Sequence, residues 1–307
     1  MKFLITGANG DIALSILEII KRNLKNSTVH GTEINPNGKG KFFFDKILQS
    51  PKTNDKKFID FFNYLSKKYD LIIPTSEIEI LFFSQNINKF KKEKILVNSS
   101  RIINTFMDKL KTHNFLKSNK IGCSSFTDNI KNWSKYKFPM FIKKKFGAGN
   151  KGYFLARSKK DLNFASSKKN LIIQEYLPGA KEYTACVYSN NVSNVKVLIF
   201  ERELDKDKTI YAKFIKNKNL EKQLGSIASA INLNGSINVQ FKIVNKKIKI
   251  FEINPRLSST VNMRDIIGFK DCMWWIYNSL NIKKISKKIK IKKNIKLIRY
   301  EKIKIIN

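Results

Sequence analysis

Residues 235–256, GSINVQFKIVNKKIKIFEINPR, constrain the fold more than any other part of the chain. Apolar and polar residues alternate on both sides of a short polar segment, which predicts two antiparallel β-strands joined by a tight turn. If Val244 pairs with Ile248 around a three-residue turn, Gln240 lies directly opposite Glu252. The first constraint on the fold is therefore a β-hairpin with polar side chains facing each other across it.

Three oxygen-bearing side chains meet on one face of this hairpin. Gln240 faces Glu252, and the period of two along a strand puts Asn254 beside them. A carboxylate with amide oxygens and no nearby His or Cys suits a hard cation such as Mg²⁺. Pro255 ends the strand, so Arg256 emerges with a planar guanidinium suited to phosphate. The hairpin predicts a metal and nucleotide site, and a sheet face with ordinary polar residues is the alternative.

The formal charge of +36 raises the question of nucleic-acid binding. Only seven of the 60 basic residues are arginine, and the lysines are scattered along the whole chain. A dedicated nucleic-acid surface usually concentrates its charge and uses arginine for bidentate contacts. The joint excess of Lys, Asn and Ile indicates compositional drift, so we expect no specific nucleic-acid partner. A basic nucleic-acid-binding protein is kept as a lesser alternative.

Three other features bear on compartment and size. No run of about 18 apolar residues is present, which predicts no membrane span, and the N-terminus lacks a signal-peptide pattern. Three widely spaced cysteines argue against a disulfide framework. We therefore expect a cytoplasmic protein whose 307 residues form two or three packed subdomains.

The first hundred residues predict an open parallel α/β sheet. An apolar strand at residues 2–6 is followed by a turn from Gly7 to Ala13 and then by helical spacing of apolar residues. Glu33 ends the next predicted strand at about the spacing of a dinucleotide-binding fingerprint. This is the argument for an NAD-dependent oxidoreductase. It is weakened because Ala13 replaces the third glycine of that fingerprint.

The middle of the chain has a glycine loop between two predicted strands. Lys143 and Lys145 alternate on the strand 138–146, which leads into the loop GAGNKG at residues 147–152. Such a loop can fold its amides over phosphates while the two lysines supply positive charge. Further on, the strand 171–177 could offer backbone groups to an adenine. A carboxylate after it could hold ribose hydroxyls, and a plain hairpin is the alternative in both places.

Taken together and in this order, these stretches resemble the ATP-grasp superfamily, and within it the relatives of the carbamoyl-phosphate synthase large chain. The resemblance implies a mixed α/β and α+β fold, in which an open parallel-sheet, Rossmann-like domain precedes a two-lobed ATP-grasp domain. The implied units are residues 1–98 (the N-terminal α/β domain), 99–185 (a linker helix and the lid subdomain) and 186–307 (the metal-binding subdomain with a basic C-terminal strand).

The resemblance also implies a role for each matching position. The ATP-binding positions are Lys109, Lys143 and Lys145 for the phosphates, Gly147, Gly149 and Gly152 in the lid, Glu175 and Leu177 for adenine, and Glu182 for ribose. The implied metal ligands are Gln240, Glu252 and Asn254. The implied catalytic residues are Arg256, which would hold the transferred phosphoryl group, and Lys143.

The implied activity is that of an ATP-dependent ligase. ATP with Mg²⁺ or Mn²⁺ would activate a carboxylate as an acyl phosphate for attack by an amine or similar nucleophile. Arg202 and Arg264, the scarce arginines near the hairpin, are the predicted seat of the substrate carboxylate. Ser259 stands where synthase halves commonly have another arginine, so the acceptor need not be bicarbonate. Phosphorylation of a small substrate, as in carbamoyl-phosphate synthase, is the alternative. Such ligases often form homodimers.

Overall fold

The computed structural model describes residues 1–129, 137–147, 154–166, 170–190, 194–206, 208–282, 291 and 294–300. These residues form one parallel sheet and two antiparallel sheets with helices packed on them. The predicted combination of a parallel N-terminal sheet with a two-lobed domain is confirmed. Gly149 and Gly152 of the glycine loop lie outside the described residues. None of the described helices is long and apolar enough to span a bilayer.

The N-terminal sheet has the strand order β3-β2-β1-β4, and all its strands are parallel. Its elements are β1 (Lys2–Thr6), α1 (Asp11–Asn23), β2 (Thr28–Glu33), β3 (Lys46–Gln49), α2 (Lys57–Ser66), β4 (Leu71–Ile73) and α3 (Glu77–Gln85), with short 3₁₀ helices at Lys39–Phe42, Ile87–Lys89 and Lys92–Lys94. Its central strands are apolar because helices cover both of its faces.

The order of the strands reverses between β1 and β4, which is where an open α/β sheet forms a crevice. The loops that follow these two strands contact each other. Gly7 has a φ of +63°, and a Cβ there would lie 2.9 Å from Thr75 Oγ1. That hydroxyl in turn donates to the carbonyl of Thr6 at 2.7 Å. The close approach of the two loops therefore requires a glycine at position 7.

A smaller antiparallel sheet, which we call the lid sheet, has the strand order β5-β8-β6-β7. It follows the linker helices α4 (Ser100–Phe106) and α5 (Lys109–Ser118) and contains β5 (Phe126–Thr127), β6 (Met140–Lys144), β7 (Phe154–Ala156), α6 (Lys159–Ser166) and β8 (Leu171–Glu175). Asp108 caps α5 by accepting hydrogen bonds from two backbone amides of its first turn. The backbone of Asp108 also forms an isolated antiparallel β-bridge with Phe146, so the start of α5 is fixed against the lid sheet.

The large sheet is antiparallel, with the strand order β13-β12-β9-β10-β11-β14. Its elements are β9 (Glu182–Ser189), β10 (Val195–Asp205), β11 (Lys208–Ile215), α7 (Lys218–Ile231), β12 (Gly235–Val244), β13 (Lys247–Asn254), α8 (Val261–Ile266), α9 (Asp271–Ser279) and β14 (Lys296–Ile298). The sequence boundary proposed at residues 185 and 186 falls within β9, and the division into three units stays a prediction.

The two faces of the large sheet are covered differently. On one face, Val187, Val239 and Phe241 form a core with α4, α5 and α7. On the other face, Cys186 and Tyr188 pack with α1 and α9. This second cover extends over only part of the face. The remaining part, toward the ends of β9, β10, β12 and β13, is left for polar residues.

The hairpin forms as predicted, but with a different turn. Val244 pairs with Lys247, so the connection has two residues, Asn245 and Lys246, and both have positive φ (48° and 62°). Gln240 nevertheless lies opposite Glu252, because the register shifts by one residue between Gln240 and the position after it. The predicted three-residue turn was wrong, but a β-bulge still brings Gln240 opposite Glu252 as predicted.

The turn provides a test of the hairpin geometry. Left-handed backbone is costly for a residue with a Cβ, so Lys246→Gly is expected to raise the free energy of unfolding by about 0.5–1 kcal/mol. Lys247→Gly, in the extended backbone of β13, is the matched control and should lower it by a similar amount. Urea unfolding of both variants measures the difference. A loss of stability in Lys246→Gly would contradict the assigned turn.

Candidate active site

A cavity of about 610 Å³ lies where strands of the lid sheet meet the uncovered part of the large sheet. Its size is within the range of small-molecule sites. It brings together most of the residues singled out in the sequence: Lys143, Glu175, Leu177, Glu182, Arg202, Gln240, Glu252, Asn254 and Arg256. Positions that are far apart in the chain thus contribute to one surface.

The three predicted metal ligands lie together at one end of the cavity. Gln240 is paired with Glu252 across the strands, and Asn254 Nδ2 donates to Glu252 Oε1 at 3.0 Å. No group of three or more His, Cys, Asp or Glu side chains in the described ranges could hold a metal. One carboxylate and two amide oxygens would supply part of a coordination shell. This donor set fits Mg²⁺, which keeps waters and phosphate oxygens as its remaining ligands.

Lys143 lies in the same part of the cavity, with its ammonium over two aromatic rings. The distances from Nζ to the ring centres of Phe141 and Phe251 are 5.3 and 5.5 Å. Burial lowers the pKa of the Lys143 ammonium below its ordinary value of 10.5, and Lys109 acts in the same direction while Glu252 opposes the shift. A cation held in apolar surroundings interacts strongly with an incoming phosphate.

Arg256 is held by the protein on one side and has a donor to spare. Its Nη2 donates to Glu77 Oε1 at 2.7 Å, and its Nη1 donates to the carbonyl of Leu257 at 3.1 Å. Its Nε is buried and has no hydrogen-bond partner within the described part of the chain. Nη1 and Nη2 each keep a second N–H, and because Arg256 lines the cavity these groups can donate to an anion there.

At the other end of the cavity, the end of β8 is anchored by two lysines. Lys249 Nζ lies 3.1 Å from a carboxylate oxygen of Glu175, and Lys242 Nζ donates to the carbonyl of Leu177 at 2.8 Å. The ring of Tyr176 packs edge-on against Phe141 with centres 5.0 Å apart. Sequence reasoning missed Lys242, although its position two residues after Gln240 placed it on the same face.

Glu182 and Arg202 both line the cavity, and they bind each other. Nε and Nη2 of Arg202 donate to Oε1 of Glu182 at 3.1 and 2.6 Å. The guanidinium is 8% exposed and its Nη1 lies 3.5 Å from Thr209 Oγ1. The pair accounts for the burial of both charges. The ribose role of Glu182 and the substrate role of Arg202 stay predictions.

The predicted phosphate-binding lysines do not all reach the large cavity. Lys109 donates to the carbonyl of Gly147 at 2.7 Å, and the two line a small adjoining cavity together with Glu252 and Asn254. Lys145 lies 3.3 Å from Asp128 and lines neither cavity. Lys109 is therefore placed near the metal ligands, whereas Lys145 is not.

Arg264 does not line the cavity, and the structure gives no support to its predicted role in binding the substrate carboxylate. Its side chain is 1% exposed and donates from Nε and Nη2 to the two carboxylate oxygens of Asp271 at 3.0 and 2.9 Å. Its Nη1 donates to the hydroxyls of Ser258 and Thr260, both at 2.8 Å. Arg264 lies close to the hairpin in sequence, but α8 turns its side chain into the core beneath the cavity.

The residues of the dinucleotide fingerprint are occupied by contacts within the N-terminal domain. Glu33, which would hold a ribose, accepts hydrogen bonds from the backbone amides of Asn9 and Ile34. The Asn9 side chain accepts from the amide of Gly40, so the segment around that glycine packs on the turn after β1. These contacts give the turn and Glu33 a structural role within the domain, and they do not support the NAD alternative.

Comparison with known proteins agrees with this geometry. The sequence model of the ATP-grasp domain matches residues 106–260, half of the chain. The chain belongs to the ATP-grasp family. The matched range includes β6, β8, β9, β12 and β13, which carry the cavity residues described above.

A local match supports the narrower resemblance within that family. Over 42 residues, the chain is 50% identical to the carbamoyl phosphate synthase large chain of Rhizobium meliloti. The match covers 14% of this chain and 4% of that protein. The chain is therefore similar to a small part of a much longer enzyme.

Solved structures are similar over almost the whole chain. N5-carboxyaminoimidazole synthetase from Staphylococcus aureus, in complex with ADP, has a TM-score of 0.75 at 19% identity, with 92% of this chain and 78% of that chain covered. The biotin carboxylase domain of the Hydrogenobacter thermophilus 2-oxoglutarate carboxylase has a TM-score of 0.76 at 15% identity, with coverages of 96% and 73%. At these identities the likeness establishes the fold.

The buried ion pair of Arg264 with Asp271 leads to a stability prediction. Arg264→Ala leaves the Asp271 carboxylate buried without a countercharge, so we expect the free energy of unfolding to fall by about 3–5 kcal/mol. Arg22→Ala, which removes a half-exposed arginine that lies 3.5 Å from Asp265, is the control and should cost less than about 1 kcal/mol. Urea unfolding measures both. Equal losses in the two variants would refute the structural role of Arg264.

Proposed function

We propose that this protein is an ATP-dependent ligase that activates a carboxylate as an acyl phosphate for attack by an amine or a similar nucleophile. One observation carries the proposal: a single cavity between two sheets places Glu252 and Asn254 beside Lys143 and Arg256. Oxygen ligands for a hard cation and two cations for phosphate are the groups that phosphoryl transfer requires.

Membership in the ATP-grasp family supports the use of ATP. The S. aureus synthetase structure is a complex with ADP, and the structure of the 2-oxoglutarate carboxylase domain is a complex with MgADP and bicarbonate. That carboxylase domain is a dimer. For the present chain we propose ATP with Mg²⁺, for which Mn²⁺ could substitute, and a homodimer is a further expectation.

Each group in the cavity has a part in the proposed reaction. Gln240, Glu252 and Asn254 would hold Mg²⁺, and the ion would supply positive charge against the phosphates of ATP. Lys143 and Arg256 stabilise the negative charge that develops on the transferred group. In-line transfer depends on alignment more than on a protein base, so the fixed positions of these side chains are their main contribution.

The other end of the cavity is suited to a nucleoside. Phe141 and Tyr176 offer apolar ring surface. Lys242 and Lys249 hold the segment at the end of β8 in place through their contacts with Leu177 and Glu175. The Arg202 guanidinium orients the Glu182 carboxylate, so that its remaining lone pairs can accept hydrogen bonds from ribose hydroxyls. This arrangement directs the phosphates toward Lys143 and Arg256.

A second candidate is phosphorylation of a small substrate, as in carbamoyl-phosphate synthase, and the 42-residue match favours it. Ser259 and the neighbouring Ser258 line the cavity where an acceptor would lie beyond Arg256. ADP release measured against carboxylates crossed with amines separates the two candidates. The ligase requires both substrates, whereas the second candidate requires a single acceptor.

The metal ligands provide the direct test of the proposed function. Glu252→Gln and Asn254→Ala are expected to abolish Mg²⁺-dependent ATP binding and ADP release, because the first removes the negative charge of the carboxylate ligand and the second removes an amide oxygen. Their free energy of unfolding should stay within about 1 kcal/mol of the wild-type value, because both side chains line the cavity and belong to no apolar core. Glu203→Gln, an exposed position on β10, is the matched control. Unchanged ADP release in Glu252→Gln would refute the proposal.

The pKa of Lys143 predicts a pH dependence of nucleotide binding. Phosphate binding needs the charged ammonium, and burial lowers the pKa of this group below 10.5. ATP affinity should therefore fall as the pH rises through that lowered pKa, at a less alkaline pH than for an exposed lysine. Lys143→Arg should retain affinity over the same range, because guanidinium stays charged. Calorimetric titration with ATP and Mg²⁺ measures both, and identical profiles would contradict the assignment.

A further inference from the structure

We propose that the N-terminal sheet positions Arg256 for phosphoryl transfer, through the side chain of Glu77 and the amide of Asn98. This inference rests on the proposed function and adds to it a task for the N-terminal domain. Neither residue lies in the segment of residues 106–260 that matches the ATP-grasp domain. Both come from the N-terminal α/β unit, and both contact the end of the metal-binding hairpin.

Glu77 holds the guanidinium of Arg256. It is the first residue of α3, and its Oε1 lies 2.7 Å from Arg256 Nη2. Each of the two side chains is 18% exposed, so the pair is largely shielded from water. An ion pair in such surroundings restricts the orientation of the planar guanidinium more than an exposed pair would.

Glu77 also reaches the metal end of the site. It lines the small adjoining cavity together with Glu252, Asn254 and Lys109. Its position follows from the strand order of the N-terminal sheet, because α3 begins just after β4, beside the point where that order reverses. The crevice of the N-terminal sheet is therefore placed against the phosphoryl-transfer centre.

Asn98 holds the main chain next to Arg256. Its Nδ2 donates to the carbonyls of Pro255 and Ser236, both at 2.9 Å, and its side chain is 2% exposed. A Cβ at Gly235 would lie 2.5 Å from Asn98 Oδ1, so the amide fits tightly against the start of β12. One side chain thus ties together the beginning and the end of the hairpin.

The contacts of the Arg256 guanidinium with Glu77 and Leu257 leave it with N–H donors for a ligand. Nη2 uses one N–H for Glu77 and Nη1 uses one for the carbonyl of Leu257, so each of these nitrogens keeps a second N–H for a ligand in the cavity that Arg256 lines. A guanidinium fixed on one edge presents its remaining N–H groups in a set direction. Because misplacement of a reacting group by about 1 Å can cost about 100-fold in rate, such fixation contributes to the transfer step.

The experiment measures binding of orthovanadate, a mimic of the transferred phosphoryl group, to protein saturated with ADP and Mg²⁺. The variants are Glu77→Gln, which removes the charge, and Glu77→Asp, which keeps the charge but shortens the side chain. Each is also made in an Arg256→Lys background. The matched control is Glu18→Gln, since Glu18 is another N-terminal carboxylate that contacts the C-terminal part of the chain, at Asn262. Thermal unfolding checks that every variant is folded.

In the wild-type background, we expect both Glu77 variants to weaken vanadate binding by about tenfold or more while ADP affinity changes less than twofold. In the Arg256→Lys background, they should have no further effect, because Glu77 acts through Arg256. Glu18→Gln should leave vanadate binding unchanged. A merely structural role of Glu77 would instead lower stability and ADP affinity together.

Three results would overturn the inference. The first is vanadate binding in the Glu77 variants that equals that of Glu18→Gln. The second is tighter binding, which would mean that Glu77 competes with the phosphoryl group for Arg256. The third is wild-type protein that binds ADP and Mg²⁺ but not vanadate. Failure of the wild-type protein to bind ADP at all would refute the proposed function itself, so the two failures are distinguishable.

Discussion

The candidate site depends on one irregularity in the hairpin, the β-bulge at Phe251. Ile248 and Ile250 point into the core on one face of the large sheet. Strict alternation would send Glu252 into that same core. Because Phe251 is an additional residue in its strand, the alternation shifts by one, so that Ile253 takes the core position and Glu252 faces the cavity.

The site also depends on how one face of the large sheet is shared. Helices α1 and α9 cover one part of this face, and the other part lines the cavity. Cys186 and Tyr188 of β9 lie under α1 and α9. Glu182, nearer the start of β9, and Arg202 of the neighbouring β10 face the cavity. The buried pair of Arg264 and Asp271 adjoins the cavity, because Arg264 also donates to Ser258, which lines it. A sheet covered completely by helices would have no site, and one without this cover would lose much of its core.

Ion pairing governs the electrostatics of the cavity. The two arginines that line it are each bound to a protein carboxylate, Arg202 to Glu182 and Arg256 to Glu77. A charge paired in this way is tolerated at low exposure, and it is also held in one orientation. Lys143 is held over aromatic rings, and burial lowers its pKa. The cavity therefore combines two oriented guanidinium groups with the partly desolvated ammonium of Lys143.

Local pattern in the sequence was enough to predict the hairpin and the parallel N-terminal sheet, because strand alternation and turn residues act over a few positions. The family followed from the resemblance of several stretches taken in their order. Local pattern also placed Gln240, Glu252 and Asn254 on one face. Local pattern did not show that the Arg264 side chain points into the core, because that orientation depends on how α8 packs. It could not connect Glu77 with Arg256, which are 179 positions apart. Only the tertiary structure decides such contacts, since they depend on how the N-terminal sheet packs against the large one.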